Sequence, residues 1–263
     1  LTTVFNSFPR ADTLSWEIAQ LRRFVATHLL ASWLKQLEQR PDSPLAQASA
    51  QSGYFLQRYG YGTLTARAVS GKWQEGVKLL QGTLHQALSD GFSEAELTRS
   101  KREVGALLTK AAQTATTRDS RELAEEIIRK LNDEEVVLSP DQELALYGPV
   151  LEKMTLDEVN TALRQLWSSP RRLVEVVGQL PADLAVAQPE QQVRRVFMEA
   201  QQQPLKPWVE EKTSSFPYLP LPAQQGQVLE QIDHAQIGVQ SYLLEGGVRL
   251  NVKTSDFQAN QVL

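Results

Sequence analysis

Hydrophobic positions recur along this chain with two periods, and each change of period marks an element. Leu14, Ile18, Leu21, Val25, Leu29, Trp33 and Leu37 return every three or four residues, which puts them on one face of a helix from about Leu14 to Gln39. Pro41 and Pro44 end it, because proline cannot continue a helix. Ahead of that helix, Thr2 to Ser7 is rich in β-branched and aromatic residues and reads as a strand, followed by a turn at Pro9 to Asp12. Behind it, two further strands are predicted over Leu45 to Leu56 and Tyr61 to Ser70. In the second, Leu64, Ala66 and Ala68 share one face and Thr65, Arg67 and Val69 the other. Gly60 and Gly62 place the turn of an antiparallel hairpin between them.

The middle of the chain reads as helices with legible ends. Trp73 to Leu88 is stopped by Asp90 and Gly91. Ser93 with Glu96 is a capping box that opens a helix to about Ala112, carrying Leu97, Val104, Leu107 and Leu108. A helix with Leu123, Ile127, Ile128 and Leu131 follows the stretch from Thr114 to Asp119. Ser139 and Pro140 start another, and Thr155 with Glu158 opens a short one to about Trp167. Leu173 to Val177 reads as a strand. Strand, helix, hairpin, helices and strand in that order predict an α+β domain over residues 1–180, an antiparallel sheet packed on one face by helices.

Composition then shifts. Pro181, Pro189, Pro204, Pro207, Pro217, Pro220 and Pro222 fall in one stretch, out of 13 prolines in the chain, and Gln201 to Gln203 add a polar run. Residues 181–237 therefore read as an extended Pro/Gln-rich strap, with room for one amphipathic helix near Glu190 to Gln202. Residues 238–263 hold two alternating runs around Glu245-Gly246-Gly247, a β-hairpin signal. A lone hairpin is marginal in water, so it is expected to open a following domain.

The 263 residues are 41% hydrophobic and 22% charged, as in an ordinary globular protein, with a net charge of −4. No basic face points to nucleic acid. Without cysteine there are no disulfides, no thiol catalysis and no cysteine–zinc site. No run approaches the ~18 apolar residues of a membrane helix. These features suit the cytoplasm and the periplasm equally. Both ends, Leu1 to Phe5 and Gln261 to Leu263, read as mid-strand, which predicts a segment of a longer polypeptide.

Candidate chemistry is sparse. A helical zinc site needs two histidines four residues apart; His28, His85 and His234 stand alone, and neither H-x-x-E-H nor H-E-x-x-H occurs. Glu125-Glu126, Asp133-Glu134-Glu135 and Glu210-Glu211 read as solvated faces and helix ends. There is no G-x-S-x-G elbow and no phosphate loop. Tyr54, Phe55, Tyr59 and Tyr61 cluster around Arg58, as sheet packing or as a wall that contacts an extended peptide.

Several stretches together resemble the insulinase (pitrilysin) family of inverzincin metallopeptidases. Arg40-Pro41-Asp42-Ser43-Pro44 after a long helix, and Gly71-Lys72-Trp73-Gln74-Glu75-Gly76 after the hairpin, are similar to that family's second domain. So are Asp90 to Leu97 running into Arg99-Ser100-Lys101-Arg102, and Thr155 to Asn160 followed by Leu163 to Trp167. Leu243 to Lys253, continuing through Thr254 to Phe257, resembles the hairpin that opens the next domain. The resemblance implies a non-catalytic piece of a zinc peptidase: the inactive second domain and the start of the third. Zinc, held by H-x-x-E-H and a distal Glu, would lie in an upstream domain. No catalytic, cofactor-binding or metal residue carries over to this segment, which alone should be inactive. Its expected partners are that upstream domain, the downstream half of the same polypeptide, and a peptide or protein substrate, with no nucleic acid and no membrane segment. A scaffold subunit without activity, or an unrelated protein-binding adaptor, are the alternatives. The adaptor reading predicts that residues 238–263 complete the first domain's sheet.

Overall fold

A computed structural model describes residues 1–178, 188–203, 208, 220 and 226–256. The chain divides into two units, one of Leu1–Ala112 with Asp119–Trp208, the other of Gln113–Arg118 with Val209–Leu263.

In the first unit, β1 (Thr2–Asn6) leads to α1 (Leu14–Glu38), then β2 (Leu45–Phe55) and β3 (Tyr59–Ala68). Five helices follow: α2 (Trp73–Ser89), α3 (Glu94–Gln113), α4 (Ser120–Asn132), α5 (Pro140–Lys153) and α6 (Leu156–Leu166). The short β4 (Arg172–Leu173) and α7 (Pro189–Gln202) complete it. The strands form an antiparallel sheet in the order β2-β3-β1-β4. Helix α1 runs along β2 and also meets α6, α2 and α5, so it is covered on several sides. That is why Leu30 and Leu34, outside the predicted stripe, are as buried as Leu21, Val25, Leu29, Trp33 and Leu37 within it. The core joins Leu21, Val25, Leu29, Leu30, Trp33 and Leu34 of α1 to Leu45 and Leu64 of the hairpin, Leu80 and Leu84 of α2, and Val159, Leu163 and Leu166 of α6. Each such side chain contributes about 1.5–3 kcal/mol by leaving water. The fold is α+β, an antiparallel sheet carrying helices.

The predicted helix starts are where the capping residues put them. Ser93 Oγ accepts from Glu96 N (3.2 Å) while Glu96 accepts from Ser93 N (2.8 Å). Ser139 with Gln142, and Thr155 with Glu158, form the same reciprocal pair. The strap's possible helix is present as α7, whose Val196 and Ala200 are buried.

Three sequence expectations differ from the structure. The β2–β3 turn is made by Leu56 and Gln57, both left-handed (φ 52° and 53°), while Gly60 and Gly62 lie inside β3. The turn is held from outside: Arg58 O accepts from Ser7 N (2.7 Å), and the Gln57 amide donates to the Asp133 carbonyl. The strand expected at Leu173 to Val177 is only Arg172–Leu173, because it pairs with Thr2 and Thr3 at the end of β1. A further strand, β5 (Val228–His234), lies inside the stretch read as strap.

In the second unit β5 pairs with β6 (Val239–Leu244), and β6 with β7 (Arg249–Lys253), as an antiparallel sheet separate from the first. The hairpin expected around Glu245-Gly246-Gly247 is present, with both glycines at positive φ. Residues 239–253 do not extend the first sheet, contrary to what the adaptor reading requires. The strand expected near Gln261 and the carboxylates Glu210 and Glu211 lie outside the described residues.

Candidate functional site

The register of the first sheet separates the aromatic cluster read from the sequence. Tyr54 faces Gly60 across the hairpin, and Tyr61 faces Gly53, one residue away and so on the opposite side of the sheet. Tyr54 packs against Trp16 of α1 (centroids 5.1 Å) and edge-on against Phe5 (6.2 Å). Phe55 and Tyr59 are exposed at the hairpin tip.

Around Tyr54 the chain closes a cavity of about 300 Å³, near the lower end of the range for small-ligand sites. Four segments build it: the stretch after β1 (Ser7, Phe8, Arg10, Asp12), α1 (Trp16, Gln20), the hairpin (Gly53, Tyr54, Gln57) and the end of α4 with the turn after it (Arg129, Asp133, Glu134, Glu135). The Arg10 guanidinium lies 3.6 Å from the Trp16 ring centroid, a cation–π contact, and donates to Ser7 Oγ (2.7 Å). Arg23 lies 4.8 Å from the Tyr54 ring and donates to its hydroxyl. The aromatic faces of the cavity are thus already occupied by the chain's own cations.

Its acidic side is crowded. Asp12 Oδ2 accepts from Val136 N (2.8 Å), while Oδ1 is buried and meets no donor among the described residues. Burial pushes the Glu17 carboxyl above the usual carboxylate range; the Tyr147 hydroxyl bond opposes this, and Asp12 and Glu135 reinforce it. Burial also raises Glu135, helped by the negative charges of Asp133 and Asp12. Tyr147 is raised by burial and by the adjoining Glu17, so its proton stays on the phenol. The run Asp133-Glu134-Glu135, read from the sequence as solvated, is so at Glu134 and Glu135, which are exposed, and it also rims the cavity. Only its density of acids signalled this, since its neighbours there come from distant parts of the chain. The arrangement can hold protons and donate hydrogen bonds, and it presents no activated nucleophile.

The histidines sit on separate elements. On α1, His28 Nδ1 is 3.0 Å from Ser100 Oγ of α3, and Nε2 is 3.6 Å from the Glu103 carboxylate. Serine, histidine and carboxylate recur here in the order of a hydrolase triad. Ser100, however, lies within a helix and is 2% exposed, so no substrate reaches its hydroxyl; the trio ties α1 to α3. His85 lies on α2, and His234 on β5 contacts Ser241 Oγ (3.1 Å). Among the described residues no three His, Asp or Glu side chains are grouped to hold a metal. No described helix is long and apolar enough to cross a membrane.

No protein-family model and no curated protein matches this chain. Solved structures do. The periplasmic protease PqqL from Escherichia coli matches with a TM-score of 0.64 at 16% identity over 97% of this chain and 28% of its own. A structure of the first half of PqqL matches with a TM-score of 0.62 at 16% identity, over 80% of this chain and 45% of its own. A predicted insulinase family protease from Yersinia pestis matches with a TM-score of 0.59 at 16% identity, over 76% of this chain and 42% of its own. This chain therefore spans 28% of the full PqqL structure and less than half of the other two. At such identities the likeness is one of architecture: the chain has the fold of the insulinase-family proteases, the family that its sequence motifs resemble.

Proposed function

We propose that this chain is the non-catalytic middle segment of an insulinase-like zinc peptidase, which packs against the catalytic domain, walls the substrate chamber and leads into the second half. The observation that carries this reading is how far the likeness extends. Against the first half of PqqL 80% of the chain aligns, and against the whole protein 97% does. The larger share against the whole protein supports reading the chain as a stretch that crosses the boundary between halves. The sequence lacks H-x-x-E-H, which supports the non-catalytic reading of this segment.

The role has a physical basis. A chamber that excludes water and holds an extended peptide needs a rigid wall opposite the metal. The α1–sheet–α6 core supplies rigidity, and the Tyr54 cavity is the concave surface available to a peptide side chain.

The test is direct. The purified chain should bind no stoichiometric zinc and cleave no peptide, and should co-purify with the separately produced catalytic domain of the parent. Stoichiometric zinc, or cleavage abolished by a chelator, overturns the non-catalytic assignment. Failure to associate with an active catalytic domain overturns the packing role.

A further inference from the structure

The Pro/Gln-rich stretch carries one indole, Trp208, directly after Pro207 and close behind Pro204. Proline fixes its own φ and restricts the residue before it, so the chain leading to Trp208 has less backbone freedom to lose on docking than an ordinary segment. Trp208 lies flat on Trp33 of α1, with centroids 4.1 Å apart and planes within 10°. The seat is rigid. Trp33 is 1% exposed, and its Nε1 donates to Glu96 Oε1 (2.5 Å). Phe92 meets its ring edge-on at 5.2 Å. Glu96 also accepts from Ser93 N, so the seat is built into the N-terminal cap of α3. The Arg40 guanidinium lies 6.0 Å from the Trp208 ring.

The two indoles differ in one respect. Trp33 has its acceptor, whereas Trp208 Nε1 is buried with none among the described residues. A desolvated N–H without an acceptor works against docking, while the stack and the buried ring area favour it. Trp208 is therefore held by the opposition of these effects, and Trp33 by the whole core. We propose that Trp208 is a releasable anchor: seated on Trp33 it ties the strap to the first domain, and it leaves that seat before the domain unfolds. This does not depend on whether the parent is a peptidase.

Stacked indoles give an exciton couplet in circular dichroism, which reports the seat separately from the helical signal. The full chain should show the couplet. Trp208→Phe should abolish it and Trp16→Phe should leave it. On heating, the couplet should vanish at a lower temperature than the helical signal. Trp208→Ala should speed tryptic cleavage after Lys212 roughly tenfold, the change expected when the open form becomes dominant, and leave helix melting in place. Absence of the couplet, its loss together with the helices, or cleavage unchanged by Trp208→Ala overturns the proposal.

Discussion

At the scale of single residues, glycines do two different jobs, and alanine substitutions separate them. A Cβ at Gly60 would lie 2.1 Å from Phe5 ring atoms, and that ring is already packed edge-on against Tyr54. Gly60→Ala must displace that half-buried ring and should cost about 1–3 kcal/mol, read as a lower urea midpoint at unchanged m-value. A Cβ at Gly82, within α2, meets nothing within 4 Å. Gly82→Ala should raise the same midpoint by about 0.5–1 kcal/mol through helix propensity alone. Glu17 gives a pH-dependent counterpart. Burial, with Asp12 and Glu135 nearby, raises its pKa in the folded state above its unfolded value. Its protonated form is thus favoured by folding. The stability it contributes is complete below the unfolded pKa and is lost as pH rises through the folded pKa. Glu17→Gln keeps an acceptor for Tyr147 and removes the charge, so its advantage over wild type should grow from mildly acidic to neutral pH. An advantage that stays constant with pH would refute the crowding of carboxylates around Glu17.

At the scale of elements, what was legible is what is local. A capping box is two hydrogen bonds within four residues, so Ser93, Ser139 and Thr155 announced their helices correctly. The Thr155 box also involves Glu158, whose carboxyl is held below the usual range by the Thr155 backbone N–H and, further, by Arg22 of α1. Thr155→Ala should cost about 1 kcal/mol, and hydrogen exchange should show faster opening at the start of α6. What was not legible depends on distant partners. Leu56 and Gln57 carry no turn signature, and their left-handed backbone is imposed by Ser7 and Asp133. The short β4 is limited by the pairing it finds on β1. β5 mixes polar and apolar residues and is exposed along its length, so it lacks the one-sided pattern that marks a half-buried strand. The cavity is assembled from four separate segments, and a linear reading sees only its acids and aromatics.

At the scale of the whole molecule, the question is where the first domain stops holding itself together. The sequence suggested closure near residue 180, yet α7, beyond it, packs on α2. Val196 and Ala200 are 1% and 2% exposed there, and Glu199 pairs with Lys78 of α2 at 3.0 Å. Trp208 then seats on Trp33. A chain ending at Gly178 retains the α1–sheet–α6 core and should still unfold cooperatively. It also bares the face of α2 that α7 covers. Burial of one valine side chain is worth about 1.5–3 kcal/mol, and the alanine adds to it. The half-exposed Lys78–Glu199 pair adds little. In a domain of this size each kcal/mol moves the midpoint by about 2–4 °C. Ending the chain at Gly178 should therefore melt roughly 5–15 °C below ending it after Trp208. Equal midpoints would mean that α7 is carried by the domain without supporting it, and the boundary near residue 180 would then be the physical one. A large gap would place the strap's first helix inside the domain, leaving only the residues after Trp208 to act as the connection.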